Sequence, residues 1–112
     1  MVDIYTDGSG KTGRYAYVVE QTGRVKILQE KGITNNEAEY KAIIAALNEN
    51  RDKDVSIHSD SQLIVNQLNK DYAIKEDRLR DLAQEVWKLC EGRNVTFDWL
   101  PREKNKAGKV LG

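Results

Sequence analysis

The sequence has few of the residues on which several large classes of protein depend. It has one cysteine, Cys90, so it cannot form an internal disulfide, and a reducing, cytoplasmic compartment is expected. It has one histidine, His58, which argues against a Ser/His/Asp triad and against a histidine-rich zinc site. No apolar run approaches the roughly 20 residues that span a membrane. The first residues have no basic region followed by an apolar one, so no secretion signal is expected.

Length and charge narrow the expected architecture. The chain has 112 residues, 39% of them hydrophobic, which predicts a single domain over residues 1–112. Its 18 basic and 18 acidic residues cancel, which argues against binding nucleic acid through bulk charge alone. A local basic patch is nevertheless present near the end of the chain, at Arg102, Lys104, Lys106 and Lys109. We expect a monomer.

Hydrophobic periodicity predicts an α/β fold. Short apolar or alternating segments predict five strands, at Val2 to Asp7, Tyr15 to Glu20, Val25 to Gln29, Asp54 to Ser59 and Val95 to Leu100. Helical spacing predicts helices at Thr34 to Asn48, Ser61 to Leu68 and Lys75 to Glu91, with another beginning within residues 105–112. Three leading strands imply an antiparallel meander, and the later alternation implies parallel additions. The expected fold is a five-stranded mixed sheet flanked by helices.

Two acidic residues come at the ends of predicted strands. Asp7 ends the first strand and Asp60 directly follows the fourth. In open α/β sheets, ligand sites gather beyond the carboxyl ends of the strands, so these two acids could converge. Ordinary structural roles are also available, because Asp7-Gly8 is a common turn dipeptide and Asp60 or Ser61 could cap the next helix.

Glu39 lies on the apolar face of a predicted helix. At about 100° per residue it falls among Ala42, Ile43 and Ala46. A carboxylate that faces the core is costly unless it is paired or bound to a metal. A salt bridge or the helix dipole could lower this cost. If Glu39 instead meets the two strand-end acids, a divalent cation is the simplest way to offset the repulsion among the three carboxylates. Oxygen ligands favour magnesium or manganese over zinc.

Glu37 has a different expected role. The same count places it on the polar side of the helix. With Thr34 as the N-cap, the segment Thr34 to Glu37 forms a capping box. Glu37 is therefore predicted to be structural and exposed.

Four segments, in order and spacing, resemble the signatures of type 1 ribonuclease H. They are Tyr5 to Ser9, Thr34 to Tyr40, Ser59 to Leu63 and Trp99 to Ala107. The resemblance covers nearly the whole chain. It implies hydrolysis of the RNA strand of RNA/DNA hybrids by a two-metal mechanism, with 5′-phosphate and 3′-hydroxyl products. It also implies two Mg²⁺ ions, or Mn²⁺, bound by catalytic acids at Asp7, Glu39 and Asp60.

Further candidate site residues would contact the substrate. Asn35, Asn36 and Gln62 match family positions that touch the minor groove of the hybrid. Thr34 and Asn36 could hold a phosphate at the helix start, and plain helix capping is an equally good interpretation of Thr34, Asn35 and Asn36.

The sequence departs from the family pattern in three places. The family has a fourth acid in an Asn-x-x-Ala-Asp stretch, whereas here Asn105 is followed by Lys-Ala-Gly-Lys. The Asn105 carbonyl oxygen could replace that acid as a neutral metal ligand and catalytic residue, and Glu103 is a second candidate. A histidine that many members carry shortly before this motif is missing. The basic-handle insertion is also expected to be absent, because Asp71 to Asp77 connects two helices directly.

Two alternatives to an active nuclease remain open. The first is a ribonuclease H-like module, weakened or silenced by the missing acid, that binds hybrid or double-stranded RNA. The second is a protein-interaction domain that keeps only the scaffold. The presence of the three principal acids and of the hybrid-reading polar residues favours the nuclease.

Overall fold

Five strands form one mixed sheet in the computed structural model, which describes residues 1–51 and 54–112. The strands are β1 (Val2–Gly8), β2 (Arg14–Val19), β3 (Val25–Gln29), β4 (Val55–Ser59) and β5 (Val95–Trp99). Their order across the sheet is β3-β2-β1-β4-β5. The first three strands pair antiparallel, and β4 pairs parallel with both β1 and β5. The predicted fold class is confirmed.

The helices also follow the predicted order. They are α1 (Asn35–Glu49), α2 (Gln62–Leu68), α3 (Asp77–Cys90) and α4 (Lys106–Leu111), and one short 3-10 turn covers Arg102–Lys104. Residues 69–76 connect α2 directly to α3, so the expected absence of a basic-handle insertion is confirmed. Within the described ranges, no helix is long and apolar enough to cross a membrane.

Helix α1 lies across β1 and β2 and forms much of the core. Its apolar face includes Tyr40, Ile43 and Leu47, which are at most 1% exposed, because these positions recur at helical spacing. Thr34 Oγ1 accepts the Glu37 N–H, and the Glu37 carboxylate accepts the Thr34 N–H, both at 3.1 Å. The predicted capping box is therefore confirmed, and it fixes where α1 begins.

The predicted exposure of Glu37 is wrong. Its side chain is only 12% exposed. The carboxylate folds back onto the backbone of Thr34, and the Arg78 guanidinium of α3 lies 4.0 Å away. Helical periodicity places Glu37 on the polar side of α1, but it carries no information about the neighbouring helix that covers this side.

His58 lies on β4, where its ring contacts other residues of the sheet. Its Nε2 hydrogen-bonds to the carboxylate of Asp3 at 2.9 Å, and its ring stacks at a tilt on Tyr5. This contact lowers the pKa of Asp3, chiefly through the hydrogen bond from His58. A histidine whose ring is used in this way serves the structure of the sheet.

Candidate metal centre

Three acidic residues converge at the carboxyl end of the sheet. Each of Asp7, Glu39 and Asp60 offers a carboxylate oxygen, and these oxygens all lie within 4.8 Å of one another. Asp7 and Asp60 meet because β1 and β4 are parallel neighbours, with Thr6 paired to Ser59 directly before the two acids. Glu39 reaches them from the buried face of α1.

Two glycines, one at the end of β1 and one in the loop that follows, allow α1 to approach the acids closely. A Cβ on Gly8 would lie 2.4 Å from the carbonyl carbon of Ala38, and one on Gly10 would lie 2.5 Å from the Asn35 nitrogen. No real Cβ atom comes this close to backbone, so only glycine fits at either position. The Gly10 N–H also donates to Oδ1 of Asn35, which fixes the loop against the helix start. The Gly-rich segment therefore sets the distance between Glu39 and Asp7.

Burial and mutual repulsion oppose the ionisation of these acids. Burial is the main cause that raises the pKa of Glu39 from 4.5 to about 9, with further repulsion from Asp7 and Asp60. The pKa of Asp7 rises from 3.8 to about 6, again through burial first and then repulsion from Asp60. The Gly8 N–H hydrogen bond opposes both shifts.

The donor set fits a divalent cation. Glu39 is 8% exposed, and its Oε1 atom is buried without a hydrogen-bond partner among the described residues. A buried carboxylate oxygen with no donor is expensive unless something positive binds it. Clustered carboxylate oxygens suit hard cations that prefer oxygen ligands. The arrangement can therefore hold metal ions and, with them, a phosphate group.

Asn105 is fully buried beside this cluster, but its amide is turned differently from our expectation. Its Nδ2 donates to the Thr6 carbonyl at 2.9 Å and to Oδ2 of Asp60 at 3.2 Å. Its Oδ1, which we predicted as a neutral metal ligand, accepts the Ala107 N–H at 3.1 Å and caps α4. The carbonyl oxygen is thus used by the helix, and the group that faces the acids is a donor.

Basic and small residues form the rim of the site. The acids open into a cleft of about 640 Å³, which is also lined by Ser9, Lys11, Asn35, Arg102, Glu103, Gly108 and Lys109. The positive charge of Arg102 lowers the pKa of Asp7 and so opposes part of the rise that burial causes. Glu103, the second candidate for the fourth acid, lines the cleft but is not one of the three described acids that meet within 4.8 Å.

The sequence pointed only partly to this rim. It identifies Arg102 and Lys109 as members of a basic patch but gives them no position relative to the acids. Lys109 also follows Asn105 by four residues, where the family motif has its acid. This spacing is the signal in the sequence that places Lys109 beside the three acids.

The candidate substrate-binding residues are not all brought to the cleft. Asn35 lines it, and its side-chain oxygen holds Gly10. Thr34 caps α1, so the capping interpretation is confirmed for this residue. Asn36 is partly buried in the first turn of the same helix, and Gln62 is exposed at the start of α2. Neither Asn36 nor Gln62 is among the residues that line the cleft.

Comparisons with known proteins agree with this geometry. The family model described as RNase H matches residues 1–108. The chain is 30% identical to a protein of Enterococcus faecalis named as a hydrolase, EbsB, over 99% of this chain and 90% of that protein. It is 35% identical to a ribonuclease H of Desulforamulus reducens, over 96% of this chain and 77% of that protein. The solved structure of LC11-RNase H1 in complex with an RNA/DNA hybrid superposes with a TM-score of 0.85 at 28% identity, and the match covers 100% of both chains.

Proposed function

The chain belongs to the ribonuclease H family, and we propose that it is an endoribonuclease that hydrolyses the RNA strand of RNA/DNA hybrids. The products would carry 5′-phosphate and 3′-hydroxyl ends. The observation that carries this proposal is the convergence of the Asp7, Glu39 and Asp60 oxygens within 4.8 Å. The similar LC11-RNase H1 is described in complex with an RNA/DNA hybrid, which supports the same substrate class here.

Divalent-metal dependence follows from the family and from the donor set. We assign two Mg²⁺ ions to the site, with Mn²⁺ as the other cation of suitable ligand preference. Asp7 would bind both ions, and Glu39 and Asp60 would each bind one. When bound, the ions supply an activated water and stabilise the charge on the leaving 3′-oxygen.

The remaining tasks belong to the protein itself. The Gly8 backbone N–H favours the ionised forms of Asp7 and Glu39, because it lowers the pKa of both carboxyls. Arg102 and Lys109 put positive charge on the rim, where they would attract the phosphate backbone of the hybrid. Asn35 lies in the cleft with an amide suited to reading a 2′-hydroxyl, the group that distinguishes RNA from DNA. Thr34, Asn36 and Gln62 stay predictions as substrate contacts.

A cleavage assay tests the proposal. A labelled RNA/DNA hybrid, the matching single-stranded RNA, double-stranded RNA and double-stranded DNA are incubated with Mg²⁺ or with EDTA. We expect cleavage of the hybrid alone, only with the metal, with 3′-hydroxyl ends on the RNA fragments. Asp7→Asn should abolish it, whereas Asp81→Asn, at an exposed acid of α3, should not. Equal cleavage by both variants would overturn the proposal.

One observation supports a second candidate function. Lys109 lines the cleft where the family motif has its fourth acid, so a positive charge lies where a negative one aids metal binding. A module that grips hybrid or double-stranded RNA with little or no cleavage would carry such a change. Hybrid binding without cleavage at millimolar Mg²⁺ or Mn²⁺ would favour this candidate. A single-domain, monomeric, cytoplasmic protein stays our prediction in either case, and sedimentation of the purified chain tests the monomer.

A further inference from the structure

The side chain of Asn105 is held in one orientation by its surroundings. The residue is 0% exposed, and its two ends face opposite backbone groups. The Thr6 carbonyl can only accept, so the NH₂ end of the amide must face it, and the Ala107 N–H can only donate, so the oxygen must face that side. Reversing the amide would lose both hydrogen bonds in a buried place.

This orientation leaves an amide N–H for Asp60. The Nδ2 atom of Asn105 is 3.2 Å from Asp60 Oδ2 while it also bonds to Thr6, which directly precedes Asp7. One side chain therefore connects the strand that carries one acid to the carboxylate of another. The backbone of Asp60 is separately held by the Trp99 indole N–H, which donates to its carbonyl at 3.1 Å.

We propose that Asn105 is a positioning residue, which orients the Asp60 carboxylate for metal binding and is not itself a metal ligand. The inference rests on the proposed function, since it concerns the same metal centre. Asn105 also caps α4, so the position of Asp60 is coupled to the seating of the C-terminal helix against β1 and β2. Groups that hydrogen-bond to metal ligands commonly change metal affinity 10- to 100-fold when they are removed.

Two substitutions separate the possible roles of Asn105. Asn105→Ser keeps a side-chain oxygen that can cap α4, but its short hydroxyl cannot also bridge Thr6 and Asp60. Asn105→Asp has the same shape, but it replaces the donor with an acceptor that repels Asp60. A metal ligand at this position would bind better as aspartate, whereas a positioning donor would be lost. The matched control is Asn50→Ser, because Asn50 is also buried and donates to a backbone carbonyl, that of Ala46, at the opposite end of α1.

The experiment measures the binding of Mn²⁺ alone, without substrate. Binding is monitored through the loss of the electron paramagnetic resonance signal of the free ion. Melting temperature in EDTA is measured in parallel. We expect Asn105→Ser and Asn105→Asp each to weaken Mn²⁺ binding about tenfold or more. Asn50→Ser should lower the melting temperature by a comparable amount and leave Mn²⁺ binding unchanged. Unchanged binding in Asn105→Ser, or tighter binding in Asn105→Asp, would overturn the inference. Because Asn105→Asp is isosteric, it still decides the matter if the serine variant does not fold.

Asp7→Asn separates this inference from the proposed function. If Asp7→Asn abolishes Mn²⁺ binding and the Asn105 variants bind like the parent, only the positioning role fails. If Asp7→Asn also binds Mn²⁺ like the parent, the acid cluster is not the metal centre, and the proposed function fails with it.

Discussion

Asp7 opposes the ionisation of Glu39, whereas Glu39 favours the ionisation of Asp7. Burial is the main cause that raises the pKa of Glu39 to about 9, and the neighbouring Asp7 carboxylate adds to the rise, so the proton stays on Glu39. In the absence of metal, Glu39 is therefore mostly protonated at neutral pH, and Asp7, with a pKa of about 6, is mostly ionised. Metal binding has to displace the Glu39 proton.

We expect the metal-free protein to lose stability as the pH rises from about 4.5 to about 9. In this range Glu39 is ionised in the unfolded chain but keeps its proton in the folded one, so raising the pH favours unfolding. At pH 7, which is 2.5 pH units above 4.5, this lowers the free energy of unfolding by at most about 3.5 kcal/mol, at about 1.4 kcal/mol for each pH unit. Melting temperatures in EDTA across this range measure the effect.

Glu39→Gln provides the control for this pH dependence. Glutamine cannot ionise, so the variant should melt at a higher temperature than the parent at pH 8 to 9 and much closer to it at pH 5. Added Mg²⁺ should raise the melting temperature of the parent at pH 8 and not that of the variant. If parent and variant follow parallel profiles, Glu39 does not hold a proton in the folded state.

Gly8→Ala should damage the metal centre through the backbone of α1. The new Cβ would overlap the carbonyl carbon of Ala38, which adjoins Glu39, so the helix has to move away from Asp7. Such overpacking costs typically about 1–3 kcal/mol, and a displacement of about 1 Å at a catalytic group can cost about 100-fold in rate. Hybrid cleavage and unfolding by urea measure the two effects.

Gly23→Ala is the matched control for this substitution. Gly23 has a φ of +73° but nothing within 4 Å of an added Cβ, so alanine there is strained without touching a neighbour. It lies between β2 and β3, where the chain turns at the end of the sheet away from Asp7. We expect a loss of stability of about 1–2 kcal/mol with full activity. A similar loss of activity in both variants would mean that activity follows stability alone.

Much of this site could be predicted from the sequence because its acids obey local rules. Asp7 and Asp60 lie at strand ends, and Glu39 occupies an apolar helical register, so their meeting is one of the interpretations that the pattern allows. The resemblance to ribonuclease H selects it. The role of Asn105 does not follow from such rules, since its orientation depends on Thr6, 99 positions away in the chain. The partial burial of Glu37 beside Arg78 is equally non-local. Contacts between elements that are distant in sequence decide which atom of a side chain faces the site.

Arg102→Ala should weaken binding of the RNA/DNA hybrid. Arg102 is exposed on the rim of the cleft and acts electrostatically on Asp7, so its charge lies where a phosphate would approach. Removing one phosphate contact should reduce the slope of log affinity against log salt by about one. Binding is measured in the Asp7→Asn background, which prevents cleavage. Arg24→Ala, on the turn at the opposite end of the sheet, should leave the slope unchanged.

Lys109→Asp should strengthen metal binding and raise hybrid cleavage. Lys109 lines the cleft beside the three acids, four residues after Asn105, and the change replaces a positive charge with a carboxylate that can serve as a fourth ligand. We expect Mn²⁺ affinity to increase about tenfold or more, because charges at short range interact strongly in a partly buried site.

Lys11→Asp separates ligation by residue 109 from a general change of charge. Lys11 also lines the cleft, so its replacement alters the net charge of the rim by the same amount. If residue 109 provides a ligand, Lys109→Asp should gain far more Mn²⁺ affinity than Lys11→Asp. Equal gains in the two variants would mean that rim charge alone limits metal binding. No gain in either would mean that the three acids already satisfy the ions and that the lysine leaves metal binding unaffected.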